Sequence, residues 1–134
     1  MTSEKLSLIR TGMFAVTGLV CAAYAGMAIL GNTPNPFGPW IPGVLGFGTG
    51  VMILLATLAA GRKATAQAMD EGYRADSQRA QQVGYWVALW MYPVFAVFLW
   101  QELLDWPTAF AAMGTLTGAA YLLPAVWFEL RGRV

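Results

Sequence analysis

Four long apolar stretches, at residues 11–30, 43–60, 83–104 and 108–128, alternate with short polar ones along this chain. Each holds roughly 20 residues, which at about 1.5 Å per helical residue crosses a hydrocarbon layer of about 30 Å. None carries a charge in its middle. None shows the polar face of period 3.6 that a buried helix of a soluble domain keeps. The pattern predicts an all-α integral membrane four-helix bundle of two antiparallel transmembrane hairpins, with residues 1–134 forming one four-span domain.

The connections fit this division. Residues 32–42 read NTPNPFGPWIP, and its four prolines forbid a continuing helix because proline lacks the backbone donor and clashes with the preceding turn. Only Asp105, Trp106 and Pro107 separate the third span from the fourth, which makes those two antiparallel neighbours, with Pro107 opening the fourth helix. Pro93 is expected to kink the third span by removing the bond to Leu89. Residues 64–82 contain no proline and place Asp70 and Glu71 with Arg74, and Asp76 with Arg79, at helical neighbour spacings. A helical loop over 62–82 is expected, open to a break at Gly72.

Composition strengthens the reading: 57% of residues are hydrophobic and 11% charged, against about a quarter charged in a soluble domain. Charge sets the orientation. All eight Lys and Arg residues lie before the first span, between the second and third, or after the fourth. Because cytoplasmic loops carry the excess of Lys and Arg, both termini and the central loop are expected inside, and the hairpin tips, with Glu102 and Asp105, outside. The basic inner face suits anionic headgroups. Residues 1–25 also have the basic start and Ala23-Tyr24-Ala25 pattern of a signal peptide, but the apolar run is long enough to span, and Val20 fits poorly before a lipidated Cys21; retention is expected.

Small residues recur every four positions at Gly18, Ala22 and Gly26, at Gly46 and Gly50, and at Gly114 and Gly118. This spacing lets helix backbones approach closely in a membrane, either within the bundle or between copies. Trp40, Trp100 and Trp106 fall at the outer boundary and Tyr85, Trp86 and Trp127 at the inner one, as an interfacial belt. Trp90 and Tyr92 lie deeper and are the candidates for contact with a lipid, quinone or pigment. Asp70, Glu71, Arg74, Asp76 and Arg79 form either a docking surface for a cytoplasmic partner or a solvated extension of the third span.

Catalytic chemistry has little material. The chain has no His, which removes the commonest general base and metal ligand and the usual haem ligand. The lone Cys21 sits in an apolar run without a base. No catalytic residue, metal site or cofactor is expected, and no nucleic acid partner. Proton-coupled exporters of this size need an intramembrane carboxylate, which no span supplies. A channel or facilitator for a neutral or lipid-like solute would rely on Thr17, Thr49, Thr115 and Thr117, whose hydroxyls have their own helix backbone as an alternative partner.

The run Asp70-Glu71-x-x-Arg74 ahead of an aromatic third span resembles bacterial four-helix integral membrane proteins with an acidic-then-basic helical central loop. The resemblance covers the second half of the chain and implies an inner-membrane location, with no activity or catalytic residue to carry over. The residues favour a non-enzymatic membrane subunit or interaction module, surrounded by the bilayer, that forms a homo-oligomer or docks with a membrane protein partner. Single cysteines placed at Asn35 and Asp105 are expected to react with an impermeant thiol reagent added outside intact cells and one at Ser77 to stay protected; the reverse labelling would invert the orientation.

Overall fold

The computed structural model describes residues 2–132, which fold into helices α1 (Ser3–Gly31), α2 (Ile41–Ala68), α3 (Glu71–Trp100) and α4 (Trp106–Arg131) with no strand among them. All four are long and apolar enough to cross a membrane. α1 packs on both α2 and α4, and α3 packs on α4, so the first and last helices form the centre and α2 and α3 lie at the margins.

Local chemistry sets the helix ends. The Thr2 hydroxyl accepts from the Lys5 amide at the start of α1, and Asn32 closes that helix in the left-handed conformation, φ 42°. Asp70 and Asp105 cap α3 and α4, each accepting an amide N–H three residues on. Pro107 stands in the first turn of α4, where its missing donor costs nothing.

Three boundaries differ from the sequence reading. Residues 64–82 are not one loop helix: α2 runs to Ala68, and α3 begins at Glu71 because the Asp70 side chain captures the Tyr73 amide. Gly72 is therefore inside a helix rather than at a break. The third helix stops at Trp100 instead of reaching Leu104, and Glu102 turns the chain with φ 57°. Asp105 consequently sits at a helix N-terminus, where its charge complements the macrodipole, and not at the end of the preceding helix where it would oppose it. A bend within α2 at Gly61, φ 76° and ψ 169°, falls where the second apolar stretch ends at residue 60 and the expected loop helix begins at 62. The Thr65 hydroxyl donates to the Thr57 carbonyl across it at 3.3 Å, occupying an acceptor in the interrupted stretch.

Packing relies on small side chains. α4 turns Ala109, Ala112, Ala119 and Ala125 inward, and α1 meets it with a buried stripe that includes Leu6, Cys21, Tyr24 and Ala28. Met91, Phe95 and Leu104 fill the space beside Ala109 and Ala112. Gly18 lies where a Cβ would come within 2.9 Å of the Leu123 side chain and 3.1 Å of Leu122 Cβ, and Gly84 of α3 where it would meet Tyr121 at 3.4 Å. α2 is the exception. Only 6% of its most apolar stretch is buried, and its buried polar contact there is a 2.6 Å hydrogen bond between the hydroxyls of Thr49 and Thr17 of α1.

A Gly18→Leu substitution should force α1 from α4 and lower stability by roughly 1–3 kcal/mol. Gly26→Leu, at a position with nothing within 4 Å, should leave the thermal midpoint in detergent nearly unchanged; equal losses would mean that Gly18 is not a close-packing point.

Candidate functional site

The most connected polar group is Arg10, on the first turns of α1, which is 3% exposed. Its Nη1 donates to the Ala68 carbonyl at 3.0 Å, its Nη2 to Glu129 Oε1 at 2.9 Å, and its guanidinium lies 3.6 Å from the centre of the Tyr73 ring. One side chain thus touches α2, α4 and α3 in turn. Each partner is available for a local reason. Ala68 ends α2, so its carbonyl has no intrahelical donor. Tyr73 is fixed in the first turn of α3 by the Asp70 cap. Glu129 lies in the last turns of α4, 12% exposed, and also accepts a hydrogen bond from the Ser7 hydroxyl. The spacing of Ser7, Arg10 and Thr11 puts all three on one side of α1, where the Thr11 hydroxyl donates to the Ser7 carbonyl at 2.8 Å. Beside them opens a cavity of about 630 Å³ lined by Ser7, Arg10, Asp70, Tyr73, Asp76 and Glu129 among others.

The opposite end is tied as well. The Tyr24 hydroxyl donates to the Pro34 carbonyl at 2.9 Å, and its ring meets Phe37 edge-on at 4.9 Å, which orders the proline-rich loop. The Asn32 side-chain oxygen accepts from the Asp105 amide at 3.3 Å, joining the α1–α2 connection to the α3–α4 connection. Hydrogen bonds from Thr108 hold the Asp105 carboxyl below the usual carboxylate range.

Two apolar grooves flank α3. The larger, about 750 Å³, runs between α3 and α4 and is lined by Tyr92, Phe95, Trp100, Trp106, Phe110 and Gly114 among others. The smaller, about 460 Å³, includes Ile29, Trp90, Val94, Phe98 and Leu116. Trp90 and Tyr92, nominated together, therefore serve separate grooves.

The remaining nominated residues are dispersed. Gly18 packs on α4, and Gly118 lies where a Cβ would come 3.8 Å from Cys21 Sγ, whereas Gly26, Gly46, Gly50 and Gly114 have nothing within 4 Å of that point. Ala22 is half-buried. Of the loop residues, Asp70 is a cap, Glu71 and Arg74 are exposed, and Asp76 pairs with Arg79 at 3.6 Å on the surface. The boundary aromatics Trp40, Trp100, Trp106, Tyr85, Trp86 and Trp127 are all exposed. Of the four threonines, Thr17 and Thr49 bond each other, and Thr115 and Thr117 bond carbonyls of their own helix. Sequence reasoning missed the Arg10 node by counting Arg10 as one more headgroup charge; the available signal was a carboxylate, Glu129, at the matching end of the last span.

Chemically, the node is a lock. Its arginine is held by an anion, a carbonyl and an aromatic face. Among the described residues no three His, Cys, Asp or Glu side chains converge to hold a metal ion. Comparison with protein-family models, curated proteins and solved structures finds no match to this chain. The class defined is therefore an all-α protein of four helices, each long and apolar enough to cross a membrane, closed at one end by a buried ion pair.

Removing one member of a buried pair strands the other charge and typically costs roughly 3–5 kcal/mol, whereas replacing both with apolar groups is often near neutral. Arg10→Met and Glu129→Leu should each lower the thermal midpoint in detergent sharply, and the double variant should recover most of the loss. Additive losses would show that the two side chains act independently.

Proposed function

We propose that this chain is a non-enzymatic integral membrane subunit that self-associates or docks laterally with a membrane protein partner. Both termini and the α2–α3 turn would lie in the cytoplasm, and the inner membrane of a bacterium would be its location. The observation that carries this reading is the position of α2. It is as apolar as α1, yet its substantial packing is on α1, and Gly43, Gly46 and Gly50 lie on exposed parts of its surface with nothing within 4 Å of where a Cβ would be. Glycines that close no contact within the protomer leave room for another helix to approach, which is how membrane helices gain packing energy where lipid offers no hydrophobic drive.

The competing reading, a channel or facilitator for a neutral or lipid-like solute, is less well supported. All four hydroxyls nominated as its lining already have hydrogen-bond partners within the protein. A conduction path would have to break those bonds or run past apolar groups.

Gly46→Leu and Gly50→Leu together should reduce the native mass of the protein in mild detergent to that of a single chain, or release its membrane partner. The thermal midpoint should change little, because neither glycine is packed within the protomer. An unchanged assembly mass would sink this use of α2.

A further inference from the structure

The larger groove is lined by α3 and α4 and carries one tyrosine among its apolar walls. Tyr92 is 68% exposed along it. Its hydroxyl has no hydrogen-bond partner among the described residues, in contrast with Tyr24, which reaches the Pro34 carbonyl. Threonine hydroxyls at comparable depth bond the carbonyl one turn back, as Thr117 does to Met113 at 2.8 Å. The stiff ring of a tyrosine carries its hydroxyl too far from its own helix for that.

Tyr92 lies eight residues below Trp100, about 12 Å along the helix. If Trp100 and Trp106 mark the membrane boundary, the hydroxyl lies within the hydrocarbon, below the level of lipid headgroups and their water. An unpaired hydroxyl there costs free energy until an acceptor arrives. The groove's volume of about 750 Å³ suits a small lipophile, and sites of this kind combine apolar walls with a few placed polar groups. Its walls are aromatic over much of their length, with Phe95, Trp100, Trp106 and Phe110 beside Tyr92, which favours a flat ring over a flexible chain.

We propose that the α3–α4 groove binds a planar, carbonyl-bearing ring on an apolar tail, the chemistry of a quinone, with the Tyr92 hydroxyl donating to a ring carbonyl. The proposal rests on the membrane placement argued above, and is independent of association through α2.

The test places the full chain in lipid nanodiscs and measures retention of a short-tailed benzoquinone above that of empty discs, with the matching alkylbenzene, which has the same tail and no carbonyl, as competitor. Saturable binding near one quinone per chain is expected, with little competition by the alkylbenzene. Tyr92→Phe should weaken it about threefold to tenfold, the worth of one hydrogen bond. Gly114→Phe should abolish it by filling the groove, in a position with nothing within 4 Å of a Cβ, and its thermal midpoint reports whether the fold survives. Retention no greater than in empty discs, equal competition by the alkylbenzene, or an unaltered affinity in Tyr92→Phe would overturn the proposal while leaving the subunit reading in place. A chain that does not integrate into discs at all would overturn both.

Discussion

The architecture depends on a buried cation at the point where four helix ends meet. Arg10 cannot be left in an apolar interior without partners, because an isolated charge there is far too costly. Each partner it recruits comes from a different helix: the Ala68 carbonyl from α2, the Tyr73 face from α3 and the Glu129 carboxylate from α4. The requirement to satisfy one guanidinium thus becomes a requirement on the relative placement of the whole chain. Burial makes the pair a poor source of net stability but a strong source of geometry, since parting α1 from α4 strands both charges.

Away from that end, the helices are held by shape. Alanines on α4 and the two glycines Gly18 and Gly84 let neighbours come close, and bulky groups such as Met91 and Phe95 fill what remains. The Thr17–Thr49 bond is the polar fastening of α2 to α1 at mid-length. Its neighbour-poor position leaves α2 more surface for lipid or protein than any other helix. α3 is also marginal, but its exposed surface carries aromatic bulk and grooves. The two margins therefore present different surfaces: exposed glycines on α2 and apolar grooves beside α3.

The number and approximate positions of the helices were legible because four apolar runs of bilayer length have few alternative folds. Their inner ends were not, because polar sequences such as 64–82 can extend either neighbouring helix. The break at Asp70 depends on one side chain capturing the Tyr73 amide. The small-residue spacing identified glycine faces but not which side of each helix meets a neighbour: Gly18 closes a contact, Gly46 and Gly50 do not, and Gly84, which repeats the same spacing with Ala80 and Ala88, does. Arg10 was invisible for a different reason. A basic residue at the edge of a span reads as a headgroup contact, and only the fold brings Glu129, 119 positions away, to it.

That distance along the chain has a consequence for how the protein is made. The most extensively packed pair joins α1, the earliest made of these four helices, to α4, the latest of them, so the four-helix bundle cannot close before α4 emerges. Until α4 arrives, Arg10 lacks its carboxylate, and its flexible side chain can extend to the headgroup region instead. If the four helices span a membrane as proposed, insertion and closure of the bundle are separate events, and the arginine leaves the membrane surface only when α4 supplies its counterion.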